Sequence, residues 1–256
     1  MSLVARAAGA GDPGGLRAGA QGGPPRQAHR GTAVIVDVLR ATSALTVALA
    51  NGALGVEPFA DPAAAIRCRD ADPGVLACGE RGGRLVPGFD LANSPAEFTR
   101  ARVAGRRLAF ASTNGSLALI ETSAYPRRIL GAFINATAVV AAVRAAPGDD
   151  VHIACAGKEG GFSLEDAGFA GWLIAALRPY GARAVGAPAR LALSLAPRDA
   201  AEVRALVQGS AHGRYLARLS PVHAADVEYC AVLDRLDVAF VVGPAGRISA
   251  AAPAPS

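Results

Sequence analysis

Residues 33–52 read AVIVDVLRATSALTVALANG, and the change of character inside this stretch decides the fold. Ala33, Val34, Ile35, Val36 and Val38 form an almost unbroken apolar run, the pattern of a strand buried on both faces. Leu45, Val47, Ala48 and Leu49 then resume the apolar content at helical spacing. Between the two stand Asp37, Arg40, Thr42 and Ser43, so an anion, a guanidinium and two hydroxyls mark the junction of strand and helix.

The same order recurs three times. RLAFAS (107–112) precedes TNGSLALIETS, RILGAF (128–133) precedes INATAVVAAVRA, and DVHIACAG (150–157) precedes KEGGFSLEDAGFAGWLIAALRPYG. Successive strand-turn-helix units imply right-handed crossovers and a mainly parallel sheet with helices on both faces. The expected fold is therefore α/β, a three-layer α/β/α sandwich built as a single domain over residues 29–245. Parallel strands share a direction, so the four turns are expected along one carboxyl edge, where such sheets bind ligands.

The flanks differ in kind. Residues 1–28 are rich in Gly, Ala and Pro without a sustained period, and residues 246–256 end in AAPAPS. Both are expected to be disordered tails. The first lacks the compact apolar stretch of a secretory signal.

Much of the basic character lies in these flanks. Of the net charge of +5, residues 1–30 hold +3 and Arg247 one more, which leaves +1 for residues 31–245. No basic stripe with interleaved aromatics is present there, so nucleic acid is not an expected partner. Apolar runs fall short of the ~20 residues of a membrane span. Cys68, Cys78, Cys155 and Cys230 are far apart in sequence, with no CxxC, and read as reduced thiols of a cytoplasmic protein rather than a zinc site. A homo-oligomer is an admissible state for such a chain.

Asp37 is the sharpest candidate, because a carboxylate at the end of a buried strand needs a cation or several donors. A metal ion, a salt bridge to Arg40 and a loop cap all satisfy that need. STNGS (112–116) joins hydroxyls to an Asn-Gly pair at a helix start, a setting suited to phosphate or to an ordinary capped turn. Ser163 and Asp166 have capping-box spacing, whereas Glu165 is unexplained by it, and the acidic pair could share a hard cation with Asp37. The polar, Gly/Pro-punctuated segment 79–98 reads as one long functional loop carrying Arg81 and Arg84.

VIVDVLRATS, CGERGGRLVPGFDLANSPAEF, STNGS, INA, IACAG, SLEDAGFAG and HGRYL followed by DVEYCA occur here in one order. Together, over roughly residues 31–242, they resemble the 2-phosphosulfolactate phosphatases of the ComB type. That resemblance implies an α/β/α fold particular to the family and a Mg2+-dependent hydrolysis of 2-phospho-3-sulfolactate to sulfolactate and phosphate, a step of coenzyme M biosynthesis. Family members usually carry a short β segment before the DVLRATS strand, and no such strand is legible in residues 1–28.

With the resemblance in hand, Asp37, Glu165 and Asp166 are expected to hold Mg2+. Arg40, Thr42, Ser43, Thr113, Asn114, Gly115 and Ser116 are expected around the phosphoryl group, with Asn135 at the same edge. Arg81 is expected to hold the sulfonate or carboxylate of a small phosphorylated acid. Attack by water and a covalent aspartyl-phosphate on Asp37 both remain open. So do a phosphatase for another phosphorylated acid and a non-catalytic binder of anionic metabolites.

Overall fold

The computed structural model describes residues 2–7, 31–146, 150–242 and 248–250. Two sheets form the frame. The larger contains β1 (Ser2–Ala7), β2 (Thr32–Val36), β7 (Arg127–Gly131), β8 (Val151–Cys155), β9 (Arg183–Ala184), β10 (Phe240–Val242) and β11 (Ile248–Ala250), in the order β11-β10-β7-β2-β8-β1-β9. Its strands run parallel from β7 to β9, whereas β10 and β11 are antiparallel additions at one edge. The smaller sheet has the order β3-β6-β4-β5, from β3 (Gly55–Pro58), β4 (Val75–Arg81), β5 (Arg84–Leu85) and β6 (Arg107–Ala111).

Residue alternation explains how the layers stack. On β2, Val34 and Val36 face one core while Ile35 faces the other, and on β7 Ile129 and Leu130 divide in the same way. The first core is closed by α5 (Ala136–Arg144), α6 (Leu164–Leu177), α7 (Gly186–Ser194), α8 (Ala200–Gly209), α9 (Ala211–Leu219) and α10 (Pro221–Cys230). The second contains α1 (Ala41–Ala50) and α4 (Gly115–Glu121), together with Cys78, Leu108 and Phe110 of the smaller sheet. α1 is therefore held between two sheets, and nine of its ten residues are buried. Such a position calls for a helix with no charged face, and ATSALTVALA carries no charged residue. Beyond the smaller sheet, Ala65 of α2 (Pro62–Ala71) packs with Val75, Ala77, Ala109 and Ala111, and the short α3 (Arg100–Val103) leads into β6.

The α/β class and the mostly parallel, layered arrangement agree with the sequence reading. Three expectations need correction. The RLAFAS strand is β6, which pairs with β3 and β4 in the smaller sheet, so the four turns do not belong to one sheet. Residues 2–7 are not a tail: they form β1, which lies between β8 and β9 and pairs with β8 from Leu3↔Val151 to Ala7↔Cys155. Residues 248–250 likewise pair with β10, whereas residues 8–30 and 251–256 lie outside the described residues.

Segment 79–98 is only partly loop. β4 continues to Arg81, and Gly82 and Gly83 turn the chain into β5 with φ of 56° and 81°. Two consecutive positive φ values at the centre of a two-residue hairpin are the geometry that Gly-Gly permits. No helix among the described residues is long and apolar enough to cross a membrane. The four cysteines are free.

Candidate active site

The carboxyl ends of β2, β4, β6 and β8 converge although they belong to two sheets. They open on a cleft lined by Asp37 and Arg40 after β2, Glu80, Gly82 and Gly83 at the end of β4 and its turn into β5, Thr113 and Asn114 after β6, and Lys158 and Glu159 after β8. Asn93 and, from α9, His212, Tyr215 and Leu216 complete it.

Asp37 is fixed by the turn that it begins. Its backbone N–H donates to Thr42 Oγ1 (3.0 Å), and Oδ1 accepts from the Ala41 N–H (3.1 Å). Oδ2 has no hydrogen-bond partner among the described residues; it lies so close to α4 that a Cβ on Gly115 would approach it to 2.7 Å. Burial pushes the Asp37 carboxyl up to about 6, with Glu80 and Glu165 adding to the rise, while the Ala41 amide and His212 oppose it.

Asp166 is also buried, with Oδ1 accepting from Val38 N–H (2.9 Å) and Oδ2 from Gly157 N–H (3.0 Å). It ties the ends of β2 and β8 together. Burial first, then Asp37 and Glu165, raise its carboxyl well above the ordinary range despite the two amide donors. Glu165 Oε1 lies 3.3 Å from His212 Nδ1, and the hydrogen bond from His212 helps hold its carboxyl below the usual value against the opposing effect of burial.

The expected three-carboxylate cage is thus not assembled. Among the described residues no group of three or more His, Cys, Asp or Glu is arranged to hold a metal ion. Both oxygens of Asp166 hold backbone amides, and Glu165 backs an imidazole. A divalent cation that keeps several waters and takes one protein carboxylate together with substrate oxygens does fit, because Asp37 Oδ2 is uncommitted in a neighbourhood rich in carboxylates.

Of the residues expected around the phosphoryl group, Arg40, Thr113 and Asn114 line the cleft beside Asp37. Arg40 does not pair with Asp37. Nη1 donates to Asp226 Oδ2 (2.6 Å) and Nη2 to the Gly83 carbonyl (2.8 Å). Thr113 N–H donates to Glu80 Oε1 (2.7 Å), and Asn114 Oδ1 accepts from Glu159 N–H (2.8 Å).

The structure does not bring the side chains of the remaining candidates into the cleft. Thr42 Oγ1 lies at hydrogen-bond distance from the Asp37 and Gly131 carbonyls, and Ser43 Oγ donates to the Val38 carbonyl. Ser116 Oγ donates to the Ser112 carbonyl. Asn135 accepts from Ala132 N–H and donates to the Leu130 carbonyl. All four are buried, their polar groups occupied by backbone. Gly115 serves by having no side chain. Arg81 points elsewhere, donating to the carbonyls of Glu80 and Ala60.

The sequence reading missed Lys158, His212, Asn93, Glu80 and Asp226. Lys158 is the chain's only lysine, a signal in a composition that otherwise uses arginine, and its Nζ lies 4.3 Å from the Tyr215 ring centroid. The others come from distant segments that only the fold brings together.

A family model described as 2-phosphosulpholactate phosphatase matches residues 21–243. A protein of Synechococcus sp. (strain JA-3-3Ab), named "Probable 2-phosphosulfolactate phosphatase", is 41% identical over 209 residues, covering 80% of this chain and 86% of its own length. One from Deinococcus radiodurans with the same name is 36% identical over 230 residues, or 88% of this chain and 95% of its own. A third, from Symbiobacterium thermophilum, is 37% identical over 222 residues, or 84% and 93%. The match spans every strand that opens on the cleft, and the chain belongs to the 2-phosphosulpholactate phosphatase family.

Proposed function

We propose that this cleft hydrolyses 2-phospho-3-sulfolactate to 3-sulfolactate and phosphate, with Mg2+ as cofactor. The observation that carries the reading is one carboxylate oxygen, Asp37 Oδ2, left uncommitted in a cleft that also holds Lys158, Arg40 and His212. The family's name supports the substrate. A phosphorylated sulfonate with a carboxylate carries several negative charges, and Lys158 and His212 are the donors assigned to face it, while Arg40 is engaged by Asp226 and the Gly83 carbonyl. Phosphoryl transfer from a monoester depends mostly on positioning and charge stabilisation, which suits a site built from fixed donors.

Asp37 would anchor Mg2+, whose chemistry there is Lewis-acid stabilisation of the phosphoryl oxygens. Lys158 is assigned an anionic group of the substrate in place of Arg81. His212, oriented by Glu165 behind it, is assigned the leaving oxygen. As water oxygen bonds to phosphorus, the bond from phosphorus to the substrate's C2 oxygen breaks and His212 protonates that oxygen. One water proton stays with phosphate and the other restores His212. Arg40 holds the Gly83 turn against Asp226 and so shapes the wall of the cleft.

Phosphate release from 2-phospho-3-sulfolactate and from a panel of other small phosphorylated acids tests the substrate. The highest kcat/KM is expected on the sulfonate. A higher value on a phosphorylated carboxylic acid without sulfonate would reassign the substrate, and tight binding without turnover would make the chain a metabolite binder.

A further inference from the structure

Asn93 is buried, with only 3% of its surface exposed, yet it lines the cleft. Its Oδ1 has no hydrogen-bond partner, and the side chain makes no other hydrogen bond among the described residues. A buried carboxamide left in this way pays its desolvation without a compensating hydrogen bond, so the fold gains nothing from it. Its backbone is held on both sides. Leu91 bridges to Cys78 of β4 and accepts from Gly79 N–H, while Ser94 Oγ donates to Asp226 Oδ1 (2.6 Å), the carboxylate that also holds Arg40. A rigid frame therefore presents an unsatisfied amide to the cavity, which is how a preorganised binding group is built.

We propose that Asn93 is a substrate-binding residue, its Nδ2 donating to an anionic oxygen of the bound phosphorylated acid. Oδ1 is the enclosed end of the carboxamide, and Nδ2 makes no hydrogen bond among the described residues, so its donors are free for a ligand in the cleft. The donor is neutral, so it adds specificity for an oxyanion without another charge beside Lys158 and Arg40. This assignment rests on the function proposed above.

The test compares wild type with Asn93→Leu, a near isostere without polar atoms, and Asn93→Asp, using melting temperature, phosphate-release kinetics on 2-phospho-3-sulfolactate, and calorimetric binding of inorganic phosphate. Asn93→Leu is expected to melt at or above the wild-type temperature, while KM rises and phosphate affinity falls by about tenfold, the scale of one hydrogen bond. Asn93→Asp is expected to lose more, because its carboxylate repels the ligand. A lowered melting temperature for Asn93→Leu, with KM and phosphate affinity within about twofold of wild type, would make Asn93 structural and overturn the assignment. If wild type releases no phosphate from the sulfonate, the proposed function fails by itself. Phosphate binding then decides: weaker binding by Asn93→Leu supports the assignment, and equal binding, or none by wild type, overturns it.

Discussion

Arg40 Nη1 donates to Asp226 Oδ2 across 2.6 Å, joining the residue just before α1 to α10 through two buried side chains 186 residues apart. Asp226 holds Ser94 with its other oxygen, and Arg40 holds the Gly83 carbonyl with its other nitrogen. Removing one partner of such a pair strands a buried charge, at a cost of about 3–5 kcal/mol. Asp226→Asn is therefore expected to lower stability by that order in urea unfolding. Arg40→Lys is expected to be destabilised as well, because one ammonium does not reproduce the geometry of two guanidinium nitrogens. Unfolding free energies within about 1 kcal/mol of wild type for both variants would remove the pair from the fold's support.

Asp37 carries a stability penalty when ionised. Its carboxyl is raised from 3.8 to about 6, chiefly by burial, so the folded chain holds a proton there that the unfolded chain has lost. For a raised acid the contribution is full below the unfolded value and is lost as pH climbs through about 6. In EDTA, Asp37→Asn is expected to match wild type near pH 4 and to exceed it at pH 8, by on the order of 3 kcal/mol. Added Mg2+ is expected to raise the wild-type melting temperature at pH 8 and not that of Asp37→Asn. Equal responses of the two proteins to Mg2+ would detach the cation from Asp37.

Gly115 begins α4, where alanine ordinarily favours a helix by ~1 kcal/mol over glycine. Here an added Cβ would lie 2.3 Å from Ala41 Cβ and 2.7 Å from Asp37 Oδ2. Gly115→Ala is expected to destabilise the chain and to slow turnover by displacing the carboxylate. A stabilised variant with normal kinetics would contradict that packing.

Residues 2–7 form β1, which fills the sheet between β8 and β9, so their removal would leave a gap in the sheet. A chain begun at His29 is expected to aggregate or to melt at least ~10 °C lower, the scale of a few kcal/mol for a domain of this size. Melting within about 2 °C of the full chain would show that β1 contributes little.

Periodicity reveals elements more readily than their partners. β2 was legible because burial on both faces demands an unbroken apolar run, and Asp37 because it interrupts that run. That β6 belongs to another sheet was not legible, because a strand's own apolar pattern carries no record of its hydrogen-bonding neighbour. β1 was hidden in SLVARA, six residues beside a long Gly- and Ala-rich stretch that dominates the local composition. At the site, hydroxyls at helix starts looked like phosphate donors. Thr42, Ser43 and Ser116 instead satisfy carbonyls at tight turns, an alternative that such residues always offer. His212, Asn93 and Asp226 became functional candidates only when α9, the segment after β5 and α10 met at the strand ends.

The central claim is metal-dependent hydrolysis of a phosphorylated sulfonate in the Asp37 cleft. Its most direct test is phosphate release from 2-phospho-3-sulfolactate by wild type and Asp37→Asn, each in Mg2+ and in EDTA. The account predicts release by wild type in Mg2+, loss of that release in EDTA, and a fall of roughly 100-fold or more for Asp37→Asn, about 3 kcal/mol of transition-state stabilisation. Equal wild-type rates in Mg2+ and EDTA, or an Asp37→Asn variant keeping more than about a tenth of the rate, would contradict it.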